Sequence, residues 1–134
     1  MTIEKKYHFY AAHRNKAAGE KCGRLHGHTY DVVCHFSFNE LKEGGVTFLF
    51  SDIDELVSPI IKEYCHWLLL FEKDTLCEVL DKANEPYLKL PFETSVENMA
   101  IWLFDRIASE TNLPISKIEL AETKSSKIVY EKIL

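Results

Sequence analysis

Three histidines and a thiol near the start of the chain have the types and spacing of a metal site. Phe9-Tyr10-Ala11-Ala12-His13-Arg14 is followed by Cys22-Gly23-Arg24-Leu25-His26-Gly27-His28. His26 and His28 are two apart, which turns both side chains to one face of a strand. Tyr30, Val32, Cys34, Phe36 and Phe38 continue that face; upstream, Ile3, Tyr7, Phe9, Ala11 and His13 share a parity in the same way. An antiparallel hairpin of the two runs brings His13 against His26 and His28. Three converging imidazoles predict a zinc site with a fourth position for another ligand. His8 and His35 have the opposite parity and read as surface or hydrogen-bonded residues.

Cys22, four residues before His26, has two readings. It closes a Cys-His₃ site that stabilises the fold, or it stays free, with its pKa lowered by the cation and Arg24, as a base or nucleophile. Glu122 continues an apolar face formed by Ile118 and Leu120. A carboxylate there either turns to solvent or accepts donors from a ligand, and a flat heterocycle with adjacent N–H groups suits it. His66, in Tyr64-Cys65-His66-Trp67, is either a packed aromatic or an acid–base partner for Cys22, since histidine titrates near neutrality.

The elements that must position these groups follow from periodicity. Strands are expected over about 3–13 and 27–38, joined by a polar loop holding Gly19, Cys22 and Gly23. Gly44-Gly45 marks a turn before the short apolar run Val46–Phe50. Ser51 with Asp54 reads as a capping box opening a helix over about 52–64, and Pro59 predicts a kink or a later start. A shorter helix carries Leu76, Val79, Leu80 and Ala83, and Tyr87–Phe92 reads as extended. Thr94 with Glu97 forms a second capping box, before a helix bearing Val96, Met99, Ala100, Leu103 and Ile107 and closed at Asn112-Leu113-Pro114. Strands over about 116–123 and 127–133 complete an α+β domain: a four-stranded, mostly antiparallel sheet with helices over one face. Its open edges and bare face predict a symmetric homo-oligomer.

Composition narrows the class. The chain has 134 residues, which predicts one domain spanning 1–134, and 46 % are hydrophobic, which excludes a disordered segment. A formal net charge of −5 with no basic cluster argues against nucleic acid as a partner. No run has signal-peptide character or membrane-spanning length, so neither export nor a membrane partner is expected. Cys22, Cys34, Cys65 and Cys77 form no CxxC pair, which fits reduced thiols in the cytoplasm.

Taken in order, Phe9-x-Ala11-Ala12-His13-Arg14, Cys22-x₃-His26-Gly27-His28, Thr94-Ser95-x-Glu97-Asn98 and Glu122-Thr123 resemble the 6-pyruvoyltetrahydropterin synthase / 6-carboxytetrahydropterin synthase family, nearly end to end. The resemblance implies the tunnelling fold, in which ββααββ subunits close into a barrel and stack as hexamers with active sites between subunits. It implies that His13, His26 and His28 bind zinc, that Cys22 is the catalytic thiol and His66 its acid–base partner. Glu122 would anchor a pterin ring with help from Thr94 or Ser95.

The implied substrate is dihydroneopterin triphosphate. Zinc polarises its side-chain oxygens, Cys22 and His66 move protons on the neighbouring carbons, and triphosphate leaves. The three-residue gap between Cys22 and His26 is similar to the carboxy-forming branch, which serves queuosine and other deazapurines and also releases acetaldehyde. The alternatives are a pyruvoyl-forming or related pterin side-chain enzyme, and a non-catalytic, zinc-stabilised pterin-binding module. One departure stands out: the family usually has Asp immediately before the catalytic His, and here that residue is Cys65. A neutral thiol cannot hold an imidazolium as a carboxylate does; Asp74 is a candidate substitute. Arg14, Lys16, Lys21 and Arg24 lie in the loop where triphosphate could be received.

Overall fold

The computed structural model describes residues 1–132. Two twelve-residue strands, β1 (Thr2–His13) and β2 (His26–Ser37), form an antiparallel hairpin in unbroken register from Thr2↔Ser37 to His13↔His26. Period-two burial of the apolar residues explains the register. Ile3, Phe9 and Ala11 on β1 and Tyr30, Val32, Cys34 and Phe36 on β2 all face the core, and a one-residue slip would expose every one of them. Phe9 and Tyr30, paired across the hairpin, stack at 4.6 Å.

Helix α1 (Phe50–Lys62) buries Ile53, Val57, Ile60 and Ile61 on the hairpin's apolar face. It begins ahead of the expected capping box: Leu49 is the N-cap, without a side-chain cap bond, and Ser51 lies inside the first turn. The carboxylate assigned to that box is engaged elsewhere. Asp54 accepts hydrogen bonds from the Tyr7 hydroxyl (2.8 Å) and Lys5 ammonium (3.1 Å), tying α1 to β1. The helix runs through Pro59, which is exposed, as is Glu55 one turn back, so the carbonyl freed by the proline faces water.

After α1 come β3 (Trp67–Phe71), α2 (Leu76–Lys82), β4 (Leu88–Leu90), α3 (Val96–Thr111), β5 (Ile115–Ala121) and β6 (Ile128–Glu131). The sheet has six strands, ordered β4-β3-β1-β2-β5-β6, rather than four. Antiparallel pairs join β1 to β2, β2 to β5 and β5 to β6, while β1/β3 and β3/β4 are parallel. The strand missing from the sequence reading is Trp67–Phe71. Its run of three leucines lacks alternation and becomes a strand only through parallel pairing with the end of β1. The last strand was expected to reach residue 133, which lies outside the described residues.

Helix α3 packs Met99, Ala100, Leu103, Phe104 and Ile107 into the same core and ends at Asn112 in the left-handed conformation. Its N-cap is Ser95, whose hydroxyl accepts the Asn98 N–H at 3.2 Å, one residue later than the expected Thr94 cap. Thr94 is fully buried and is used otherwise, at the metal-ligand cluster. No helix of the described residues is long and apolar enough to cross a membrane.

Candidate metal centre

The hairpin register places Ala11 opposite His28 and His13 opposite His26, so the three imidazoles stand together at one end of the core face. Their ring centroids lie 4.6 to 5.3 Å apart, and one ligand atom from each falls within 4.8 Å of the others. Two rings have their second nitrogen fixed by the main chain. His13 Nδ1 lies 2.8 Å from the Thr94 carbonyl and His26 Nδ1 lies 2.6 Å from the Arg24 carbonyl. A carbonyl only accepts, so each Nδ1 carries a hydrogen and Nε2 is the nitrogen left for a metal, the arrangement that metal-ligating histidines use.

The Nε2 atoms of His13 and His28 are buried with no hydrogen-bond partner. A buried unpaired acceptor costs about 1–3 kcal/mol, and a divalent cation removes that cost at both atoms together. Burial, followed by the proximity of His26, lowers the His13 pKa to about 4, against the smaller opposing effect of the Thr94 carbonyl. His28 is also lowered, chiefly by desolvation, with Glu122 pulling the other way and His26 adding to the fall. Both rings are therefore neutral at pH 7 and available as donors. Three imidazoles brought together at one end of the hairpin fit Zn²⁺ with a fourth position open.

Glu122 follows β5 and its carboxylate stands beside the cluster, 3.8 Å from His13 Nε2 and 3.7 Å from His28 Nε2. Of the two readings, solvent or ligand, the structure places it at the rim, about one quarter exposed, lining a 120 Å³ cleft with Val96, Thr123 and Lys127. Ser95 caps α3 beside Thr94, which is buried under His13. Thr94 also donates from its hydroxyl to the Arg14 carbonyl at 3.2 Å.

Cys22 is exposed in the loop between β1 and β2, and its carbonyl accepts the Asn15 N–H at 2.8 Å. Among the described residues, the metal-ligand group holds the three histidines and no thiol. His66 lies elsewhere. It is exposed on the turn between α1 and β3, with φ +68°, and its ring meets Tyr10 edge-on. Tyr10 has the parity opposite to His13, so this face of the sheet is the one without helices. A left-handed conformation costs a non-glycine residue about 1–2 kcal/mol, held here by the His66 N–H donating to the Tyr10 carbonyl at 2.7 Å.

Asp74 is not the carboxylate of His66. It receives Arg14 through two guanidinium nitrogens, Nε at 2.9 Å, and caps α2 through the Leu76 N–H. Arg14 is thereby removed from the cations free to meet phosphate, while Lys16, Lys21 and Arg24 remain exposed. His35, outside the cluster, is buried between Glu119 (2.5 Å) and Glu4 (3.4 Å). The Arg24 and Thr94 carbonyls and the Tyr10 contact were not visible in the sequence, because main-chain acceptors carry no residue signature.

The comparisons agree with this layout. A family model described as 6-pyruvoyl tetrahydropterin synthase matches residues 2–132. A Haemophilus influenzae protein named 6-carboxy-5,6,7,8-tetrahydropterin synthase is 29 % identical over 138 residues, covering 97 % of this chain and 98 % of that one. A Pyrococcus horikoshii protein, named as a putative enzyme of the same activity, is 34 % identical over 113 residues, covering 75 % of this chain and 68 % of its own. The structure of Caenorhabditis elegans 6-pyruvoyl tetrahydropterin synthase superposes with a TM-score of 0.75 at 22 % identity, over 99 % of this chain and 96 % of that one. That likeness speaks for the fold alone. With a family model spanning nearly the whole length and a three-histidine hairpin at the centre of a six-stranded sheet, the chain belongs to the 6-pyruvoyl tetrahydropterin synthase family.

Proposed function

We propose that the chain is a zinc-dependent lyase that converts 7,8-dihydroneopterin triphosphate to 6-carboxytetrahydropterin, releasing triphosphate and acetaldehyde. The observation that carries the reading is the pair of buried, unpartnered Nε2 atoms on His13 and His28 beside His26, with Glu122 at the rim. The names of the curated relatives support the carboxy-forming product, and deazapurine supply such as queuosine synthesis is the pathway proposed for it.

His13, His26 and His28 hold the ion, and zinc, when bound, supplies a Lewis acid for the substrate's side-chain oxygens. Glu122 accepts adjacent N–H groups of the pterin ring, fixing which carbon of the side chain lies at the centre. Ser95 and Thr94 shape the wall behind it. Cys22, exposed on the loop between β1 and β2 and outside the ligand group, takes protons from the side-chain carbons. His66 returns them. Its ring lies on the helix-free face, against Tyr10, so it serves the centre of a neighbouring copy. A cyclic assembly, a hexamer in keeping with the family resemblance, closes the exposed β4 and β6 edges and completes the site.

The test is incubation of the zinc-loaded protein with dihydroneopterin triphosphate and mass analysis of the products. Carboxytetrahydropterin with acetaldehyde is expected. A pyruvoyl product shifts the assignment to the other branch of the family. A second reading, a pterin-binding module without turnover, draws on Cys65 before His66 and on the engagement of Asp74 by Arg14. Intact substrate in a complex with the zinc-loaded protein would establish it.

A further inference from the structure

Among the candidate site residues, only His66 has a positive φ, and the position of its ring is decided by a neighbour the reaction has not yet used. Among the described residues no side chain hydrogen-bonds to that ring; Cys65, before it, is a half-buried thiol without fixed charge, and Asp74 is held by Arg14. An exposed imidazole with no partner samples several rotamers. Here one residue fixes the main chain and meets the ring. The His66 N–H donates to the Tyr10 carbonyl at 2.7 Å, and the two rings meet edge to face, 5.5 Å between centroids and 87° between planes.

Sheet pairing makes the contact reproducible. The parallel ladder of β1 and β3 starts at the next pair, Ala11↔Trp67, so both main chains are set before the rings touch. Across the hairpin, Gly27 and Thr29 face Ala12 and Tyr10, and the missing side chain of Gly27 leaves room. The result is a 560 Å³ cavity with Tyr10, Thr29, His66 and Trp67 on its walls, within the size range of small-molecule sites.

We infer that Tyr10 is the positioning residue of His66: its ring fixes the imidazole at the wall of this cavity. The inference rests on the proposed role of His66 in proton transfer. The Tyr10 ring, rather than a carboxylate, then sets the direction in which the imidazole nitrogen points. The phenol hydroxyl is not required for this, because the contact is made by the ring.

The test compares Tyr10→Ala, Tyr10→Phe and His66→Ala in the zinc-loaded protein. The His66 ring-proton resonance is assigned by its loss in His66→Ala. In Tyr10→Ala that resonance moves to the position of a solvent-exposed histidine, and kcat falls about tenfold or more with KM within about twofold, as expected for a misplaced acid–base group. Tyr10→Phe keeps the resonance and restores kcat. An unmoved resonance in Tyr10→Ala, or an equal loss of kcat in Tyr10→Phe, overturns the inference. If His66→Ala turns over at the parent rate, the proton-transfer reading of His66 fails. The resonance in Tyr10→Ala then still decides whether Tyr10 orients the ring.

Discussion

His13 and Thr94 are joined at two points: Nδ1 of the imidazole lies 2.8 Å from the Thr94 carbonyl and 3.1 Å from its hydroxyl oxygen. The hydroxyl in turn donates to the Arg14 carbonyl, and the Arg14 guanidinium is clamped by Asp74. The start of α3, the end of β1 and the start of α2 thus converge on the orientation of one ring. Thr94→Val removes the hydroxyl and retains the carbonyl. Zinc affinity, measured by chelator competition, is expected to fall about tenfold, the lower end of what loss of such an outer contact causes.

Cys22→Ala separates the two roles of the thiol. Because Cys22 lies outside the ligand group, the variant is expected to bind one zinc per chain with unchanged thermal stability and to lose turnover. Metal content after dialysis against a weak chelator checks this. Zinc loss together with a lower Tm would make the site a closed Cys-His₃ centre.

The metal-free protein should lose stability in mild acid. The His13 pKa is lowered to about 4 in the folded chain from an ordinary value of 6.5. Between those values the unfolded chain binds the proton and the folded chain does not, so stability falls as pH drops from 6.5 towards 4 and levels off below. The loss from this group is about 3 kcal/mol, with His28 acting in the same direction. Urea denaturation of the metal-free protein across this range measures it. Zinc loading should postpone the loss, because protons and metal compete for the same nitrogens.

Asp74→Ala leaves the Arg14 guanidinium, only 13 % exposed, without its carboxylate, and removes the cap of α2. A destabilisation of about 3 kcal/mol is expected, readable as a lower urea midpoint at unchanged slope. A shift under about 1 kcal/mol would mean that solvent already screens the pair.

Light scattering should return six copies of the 15.5 kDa chain. Val129, about half exposed on the edge strand β6, is a direct probe of closure. Val129→Pro removes an edge N–H and is expected to give smaller species with zinc still bound. A monomeric parent protein would show that the edges remain open in solution.

The convergence of the three histidines was legible in the sequence because it depends on short-range rules. Period-two alternation on two long strands, separated by one loop, determines which side chains share a face, and the hairpin closes with little ambiguity. The same applies to α3, whose stripe and terminal Asn112 are local features.

Other features depended on contacts between residues far apart in the chain. Asp54 was drawn from its expected capping role by Lys5 and Tyr7, some fifty residues earlier. The cap of α3 moved to Ser95, and Thr94 turned under His13, 81 residues before it. Trp67–Phe71 became a strand because β1 offered an edge to a run that has no alternation of its own. The sequence by itself determined the donor set and its face, since side-chain parity is a property of neighbouring residues. Only the tertiary structure decided which carbonyls hold the Nδ1 atoms, that Arg14 takes Asp74, and that His66 lies against Tyr10 on the face away from His13, His26 and His28. Those are pairings between distant segments, selected by packing and long-range register, and no local pattern encodes them.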